Sequence, residues 1–409
     1  MSDIQEELKA RFLRYAAVPS QSTAGTGVVP SSEGQFKLGR LLMQELEEMG
    51  LKNIEQDVHG IVTAFLPGTA AGSAVGFCAH LDTVDVSLSP EVHPQVIDYQ
   101  GGDVVLNAAQ NIVMKAEEHP ELAAYKGQQI IFSDGTSVLG ADNKAAIANV
   151  MTALHTIVKE QRPHADLYIA FVPDEEIGLC GSKLLNLGKF KPDYAYTIDS
   201  CALGEVVYQT FNAGSVFIKI TGVTAHPMSA KGVLVNPLLV AHDFMNMFDR
   251  SETPECTDGM DGYWWFNACT ADALNCTLTM HIRDFDKAHY QWRKEVVREN
   301  IEKLKALHPK AVIEVRFEDV YENISNNVKP DAAPIARIYE AMAELHIEPK
   351  TYAMRGGTDG SCLSARGIVT PNYFTGAHNF HSRDEFWPLA SGEKSVLLTL
   401  KLIEKALQP

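Results

Sequence analysis

A chain of 409 residues is too long for one ordinary hydrophobic core, so two domains are expected. With 45% hydrophobic and 21% charged residues the composition is that of a globular protein rather than a disordered one. A formal net charge of −17 argues against a nucleic-acid partner or an anionic membrane surface, and suits a soluble protein whose carboxylates hold cations. The seven cysteines are odd in number and scattered, with no CxxC, so neither a disulfide framework nor a thiolate metal site is indicated. No stretch approaches a membrane span, and the chain opens on a helical run without a leader-like segment, so the cytoplasm is the expected location.

Ser2 can cap a first helix in which Ile4, Leu8, Phe12 and Tyr15 recur at helical spacing. A second helix follows Ser32, with Leu38, Leu41, Leu42, Leu46 and Met49 on one face and Gly50 to stop it. Strands are predicted around 61–65 and 74–79, then an amphipathic helix over 145–158, then short apolar strands over 166–172 and 194–198. This alternation predicts an α/β domain: a mostly parallel sheet between helices. From about residue 211 to 322 the rhythm changes. Strands at 215–221, 273–282 and 311–317 and helices at 236–248 and 287–307 suggest a smaller α+β insert of the β-α-β-β-α-β, ferredoxin-like kind. Helices over 332–345 and 391–407 return the chain to the first sheet. The expected division is therefore 1–210 with 323–409, interrupted by 211–322.

Chemistry-bearing residues gather where predicted strands end. His80-Leu81-Asp82 follows the second of these strands, and in extended chain residues two apart point the same way. A carboxylate can then hold a ligating imidazole in one tautomer. Asp142, in Gly140-Ala141-Asp142-Asn143-Lys144, precedes a helix. Pro173-Asp174-Glu175-Glu176 ends a buried strand on three adjacent carboxylates, which repel unless cations or water neutralise them. Asp199 ends another strand, and His381 closes Gly376-Ala377-His378-Asn379-Phe380-His381. Each has a plain structural alternative: a surface His-x-Asp pair, a helix cap, a solvated loop. Together, at the carboxyl ends of strands in an open α/β sheet, they favour a metal site built from nitrogen and oxygen ligands.

The order HLD, GADNKAA, PDEEIG, TIDS, TAHP, RGGTDG and a late histidine closely resembles the peptidase T family, the tripeptide aminopeptidases among the co-catalytic zinc peptidases. Their relatives include glutamate carboxypeptidase and the succinyl-diaminopimelate desuccinylase. The resemblance covers essentially the whole chain and includes Ser31-Ser32-Glu33-Gly34-Gln35, Phe211-Asn212-Ala213 and Ile282-Arg283-Asp284-Phe285-Asp286. It implies two Zn²⁺ ions per chain, with Mn²⁺ or Co²⁺ as other possible occupants. His80 and Asp199 would hold one ion, Glu176 and His381 the other, and Asp142 would bridge both. Asp82 would orient His80, Glu175 would be the general base, and a cis peptide is implied at Asp142-Asn143. The insert would be a lid and dimerisation domain whose His226 stabilises the oxyanion, in a homodimer acting on short peptides. Arg283 and Arg355 are candidates for the substrate carboxylate, a structural salt bridge being an equal alternative for Arg283, and Gly356 and Gly357 would let a ligand approach the backbone. The chain departs from the family pattern at Asn143, Ala146 and His378; either His378 or His381 could ligate, and His381 is preferred. A two-metal carboxypeptidase or N-acyl-amino-acid deacylase, and a non-catalytic metal-stabilised binding protein, are the competing functional readings.

Overall fold

The strand Val75–His80 is buried at every position and lies inside an eight-stranded sheet in the computed structural model, which describes residues 2–408. The sheet runs in the order Lys52–Gln56, Val62–Leu66, Leu167–Val172, Val75–His80, Tyr194–Ser200, Asn372–Phe374, Glu205–Thr210, Lys350–Met354. Its centre is parallel: Val75–His80 pairs with Leu167–Val172 on one side and Tyr194–Ser200 on the other, and Asn372–Phe374 continues the parallel set. The pairings that flank this centre are antiparallel. The strands in the parallel centre are fully or almost fully buried, which is why they read as continuous apolar runs.

Strand alternation distributes these residues over two cores. Val75, Phe77 and Ala79 join the larger one, with the helices Asp3–Ala16, Ala141–Glu160 and Leu389–Lys405. Cys78 faces the other, with Tyr168, Ala170, Val172 and Leu363. Gly76 has the parity of Cys78, and a Cβ there would meet Phe190 Cζ at 2.6 Å and Pro192 Cγ at 2.7 Å. The helix Ala141–Glu160 carries a break: Asp142 (ψ 100°) and Asn143 (φ −120°) are non-helical, and the bond between them is cis. Its regular part therefore starts beyond Asn143, where the amphipathic pattern of the sequence begins.

The described residues form two compact units, one of 2–208, Asn327–Tyr352 and 358–408, the other of Gln209–Asn326 with Ala353–Gly357. Within the second unit the strands Asn212–Thr221, Tyr263–Ala271, Asn275–Asp284 and Val312–Tyr321 form one antiparallel sheet, with Tyr263–Ala271 at one edge. Helices Pro237–Met245 and Lys287–Leu307 cover one face around Val216, Ile218, Met280, Val297 and Ile301. The order is β-α-β-β-α-β, and Tyr263–Ala271 supplies the strand that sequence patterning leaves unassigned. As an edge strand it is exposed along most of its length, so it lacks the in–out alternation of its neighbours. The short sheet Gln95–Tyr99, Gln128–Phe132 and Phe386–Pro388 is likewise not marked by the sequence patterning. No helix among the described residues is long and apolar enough to cross a membrane.

Gly76→Ala should destabilise the first unit by about 1–3 kcal/mol through overpacking against Phe190 and Pro192. Chemical unfolding followed by circular dichroism measures this; an unchanged midpoint would mean that the contact yields without cost.

Candidate metal centre

Asp142 presents its two carboxylate oxygens to two histidines that lie 301 positions apart in the chain. Oδ1 is 2.9 Å from His80 Nε2, and Oδ2 is 3.0 Å from His381 Nε2. Glu176 Oε1 is 2.9 Å from the same nitrogen of His381, and Asp199 Oδ1 is 3.8 Å from His80 Nε2. Ligand atoms of His80, Asp142 and Asp199 lie within 4.8 Å of one another; so do those of Asp142, Glu176 and His381, and those of His80, Glu175 and Glu176. Asp142 belongs to one group with each histidine. His381 is half exposed, whereas His80 is almost wholly buried.

Backbone elements fix each of these groups. His80 is the last residue of its strand, and its Nδ1 is 3.0 Å from the Asp82 carbonyl and 3.3 Å from the Asp82 carboxylate. With Nδ1–H donating there, the Nε2 lone pair points at Asp142. A lone pair and a carboxylate at contact distance require a proton or a cation between them. The Asp82 carboxylate also accepts the backbone N–H groups of Glu175 (3.0 Å) and Glu176 (3.2 Å), so it holds His80 and the acidic turn at once. Glu385, a residue that sequence reasoning missed, accepts from Gly140 N–H (2.8 Å) and Asp142 N–H (3.0 Å). Asn143 donates through Nδ2 to Ile198 O (2.8 Å) and to Asp199 Oδ1 (2.9 Å), a role in which an ionised aspartate could not serve. Asp199 is further held through its N–H by Asn372 Oδ1 at 2.7 Å. His381 sits at φ 60°, a left-handed conformation that is uncommon outside glycine.

The charges respond to this crowding. Burial and the neighbouring Asp142 carboxylate push Glu176 up to about 7. Burial, with Asp199 and Glu176 nearby, raises Glu175 well above the ordinary carboxylate range, and burial beside Asp142 does the same to Asp199. Burial and Asp142 raise Glu385 to about 8. Burial opposes protonation of both histidines, yet hydrogen bonds to Asp142 and Asp82 lift His80 well above its usual value, and those to Asp142 and Glu176 lift His381 to about 11. Protons therefore occupy the places a cation would take. The donor set fits divalent cations: hard carboxylate oxygens and imidazole nitrogens, with no thiolate.

His378 lies elsewhere. Its Nε2 is 2.6 Å from the Tyr125 hydroxyl, its ring stacks on Phe386, and burial lowers it to about 4. The remaining residues singled out in the sequence lie in the second unit. His226 is exposed there, and its Nδ1 accepts the Met228 N–H at 3.2 Å. Arg283 donates to Gly214 O (3.0 Å) and Ile282 O (2.9 Å). Arg355 donates to Asp261 O and Thr257 Oγ1, both at 2.8 Å, between the rings of Phe211 and Tyr263. The Gly356 carbonyl accepts from Phe211, and Gly357 packs on the Tyr321 ring so closely that a Cβ would stand 2.7 Å from it. No carboxylate among the described residues pairs with either guanidinium.

The family model for peptidase family M20/M25/M40 matches residues 140–405. The chain belongs to this family. A peptidase T-like protein of Yersinia pestis is 52% identical over 397 residues, covering 97% of each chain. Peptidase T of Pectobacterium atrosepticum is 40% identical over 403 residues, covering 98% of each. Among solved structures, the aminopeptidase PepT of Bacillus cereus aligns with a TM-score of 0.78 at 20% identity, over 98% of each chain. A dinuclear metal-binding peptidase of Bacillus subtilis aligns with a TM-score of 0.66 at 14% identity, over 99% of this chain and 98% of its own. Those two likenesses concern the fold; the family assignment rests on the sequence matches.

For this M20-family chain the protonation pattern gives a sign for pH dependence. Glu176, Glu385 and His381 all have raised values in the metal-free fold. Their contribution to stability is complete below the unfolded values, near 4.5 for the carboxyls and 6.5 for histidine, and is lost as pH rises through about 7, 8 and 11. Asp142, held low chiefly by His381 and His80 against the effect of burial, is ionised throughout and leaves this window unchanged. The metal-free protein should therefore lose thermal stability between pH 5 and 8, and the gain in Tm on adding Zn²⁺ should grow over the same interval. Differential scanning fluorimetry with and without chelator measures it; a gain that is flat or shrinks with pH would contradict the assignment.

Proposed function

We propose that the chain is a metallo-aminopeptidase that removes the N-terminal residue from short peptides, tripeptides above all. The observation that carries this reading is the Asp142 carboxylate lying between His80 and His381, in a chain 40% identical to a peptidase T. In this reading His80 and Asp199 hold one cation and Glu176 and His381 the other, with Asp142 shared. The pair is taken to be Zn²⁺, with Mn²⁺ and Co²⁺ compatible with the same ligands. When bound, two such cations lower the pKa of a water and polarise the scissile carbonyl.

The chain's own residues supply the rest. Glu175 is half-buried beside His80 and Glu176, carries no assigned ligand duty, and is aimed by the Asp82 carboxylate through its backbone N–H. A carboxylate so placed takes a proton from the attacking water and returns it to the leaving amine. His226 accepts at Nδ1, so its neutral form carries the proton on Nε2, which makes that atom a donor suited to a developing oxyanion. Arg283 and Arg355 are anchored by carbonyl oxygens and not neutralised by a carboxylate, and each is therefore suited to the substrate's carboxylate. A cytoplasmic homodimer, with the second unit as lid and dimerisation domain, completes the reading.

A free-amine tripeptide should be hydrolysed at its first bond, the N-acetylated copy should not, and chelation should abolish turnover. Preference for the acetylated peptide would move the chain to the deacylase branch, and cleavage from the carboxyl end to the carboxypeptidases. Glu175→Gln should keep both cations and lower kcat by roughly 10²–10⁴-fold. Unchanged turnover in that variant would remove Glu175 from the chemistry.

A further inference from the structure

The turn Asp174-Glu175-Glu176 carries two residues that the proposed reaction needs at fixed positions, yet it is a loop. Asp174 is fully buried, has φ 56°, and takes no part in the clusters of ligand atoms. Its side chain points away from them to the start of the helix Glu33–Glu48. Oδ2 accepts the Ser31 N–H at 2.7 Å, and Oδ1 accepts the Ser31 hydroxyl at 2.6 Å and Gln35 Nε2 at 2.7 Å. Gln35, also fully buried, closes the ring by accepting the Asp174 N–H through Oε1 at 3.0 Å. Four hydrogen bonds thus hold a non-glycine residue in a left-handed conformation one position before Glu175 and two before Glu176.

The same stretch of chain touches the other walls of the site. Ser20 Oγ donates to Leu81 O at 2.7 Å, and Ser22 N–H donates to Thr83 O, so residues 20–22 line the His80–Thr83 segment. Lys144, two residues past Asp142, donates Nζ to Val18 O at 2.8 Å. Gly34 lies against Pro19 so closely that a Cβ would stand 1.7 Å from the Pro19 carbonyl oxygen. The stretch Ser31-Ser32-Glu33-Gly34-Gln35 thereby acquires a physical reason: Ser31 and Gln35 grip Asp174, and Gly34 admits the strand of chain that braces the histidine.

We propose that Ser31, Gln35 and Asp174 are positioning residues that aim Glu175 at the water and Glu176 at its cation, so that residues 18–35 act as a brace joining three segments of the site. The proposal rests on the functional reading above, in which Glu175 is the base and Glu176 a ligand. Loss of supporting hydrogen bonds behind a metal site costs about 10–100-fold in metal affinity or activity. The variants are Ser31→Ala, which removes the hydroxyl that donates to Asp174 at a half-buried position, and Gln35→Met, which keeps volume while removing both amide contacts to Asp174. Ser31→Thr keeps the hydroxyl.

At saturating Zn²⁺, Ser31→Ala and Gln35→Met should each lower kcat on a free tripeptide by about tenfold or more, with KM within about twofold. In metal-free protein titrated with Zn²⁺ against a competing chelator, one of the two equivalents should bind about tenfold more weakly, independently of turnover. Ser31→Thr should behave as the parent chain in both experiments. Unchanged kcat and Zn²⁺ affinity in both Ser31→Ala and Gln35→Met would overturn the proposal, as would losses in Ser31→Ala that Ser31→Thr does not restore. Glu175→Gln is assayed alongside. If it turns over normally, the functional reading has failed; if it is inactive while Ser31→Ala and Gln35→Met remain fully active, only the brace has failed.

Discussion

One carboxylate faces two imidazoles from distant parts of the chain, and a set of buried polar contacts keeps it there. Asp142 stands at a break in a helix that is otherwise buried along almost its whole length. Its backbone is gripped by Glu385, its neighbour Asn143 holds Asp199, and its two oxygens meet His80 and His381. Such a convergence of acid is costly to assemble without positive charge: burial first, and the neighbouring carboxylates second, raise Glu176, Glu175 and Asp199. Protonated histidines meet that demand in the metal-free chain, and divalent cations meet it better because they bring more charge to the same oxygens.

The parallel centre of the sheet makes this convergence possible. Val75–His80, Leu167–Val172 and Tyr194–Ser200 run side by side in the same direction, so their carboxyl ends bring His80, the acidic turn after Val172 and Asp199 to one edge. Apolar residues on both faces hold the strands rigidly, leaving only the strand ends and loops to be polar. The polar network behind the proposed ligands, from Asp82, Glu385, Asn143 and Asn372 to the Ser31–Gln35–Asp174 ring, then restricts the loops in turn.

Much of this was legible in the sequence, for physical reasons. A buried parallel strand must be apolar, so a run that ends abruptly in His, Asp or Glu marks both an element and a strand-end residue. Residues 75–80, 167–172 and 194–200 have this form. What remained hidden depends on contacts that sequence spacing does not encode. Glu385 sits in the polar run Ser382-Arg383-Asp384-Glu385, and only the fold shows that its carboxylate turns inward to Gly140 and Asp142. Spacing likewise does not encode the different surroundings of His378, held by Tyr125 and Phe386, and His381, which faces Asp142 and Glu176. Edge strands such as Tyr263–Ala271 lack alternation because one side of each is open to solvent.

The central claim is that Asp142 is shared between two cations, and the most direct measurement is metal stoichiometry by calorimetric titration of chelator-stripped protein with Zn²⁺. The account predicts two equivalents for the parent chain, loss of one in His381→Ala, and loss of tight binding of both in Asp142→Ala. A single equivalent in the parent, or two tight equivalents retained by Asp142→Ala, would contradict it.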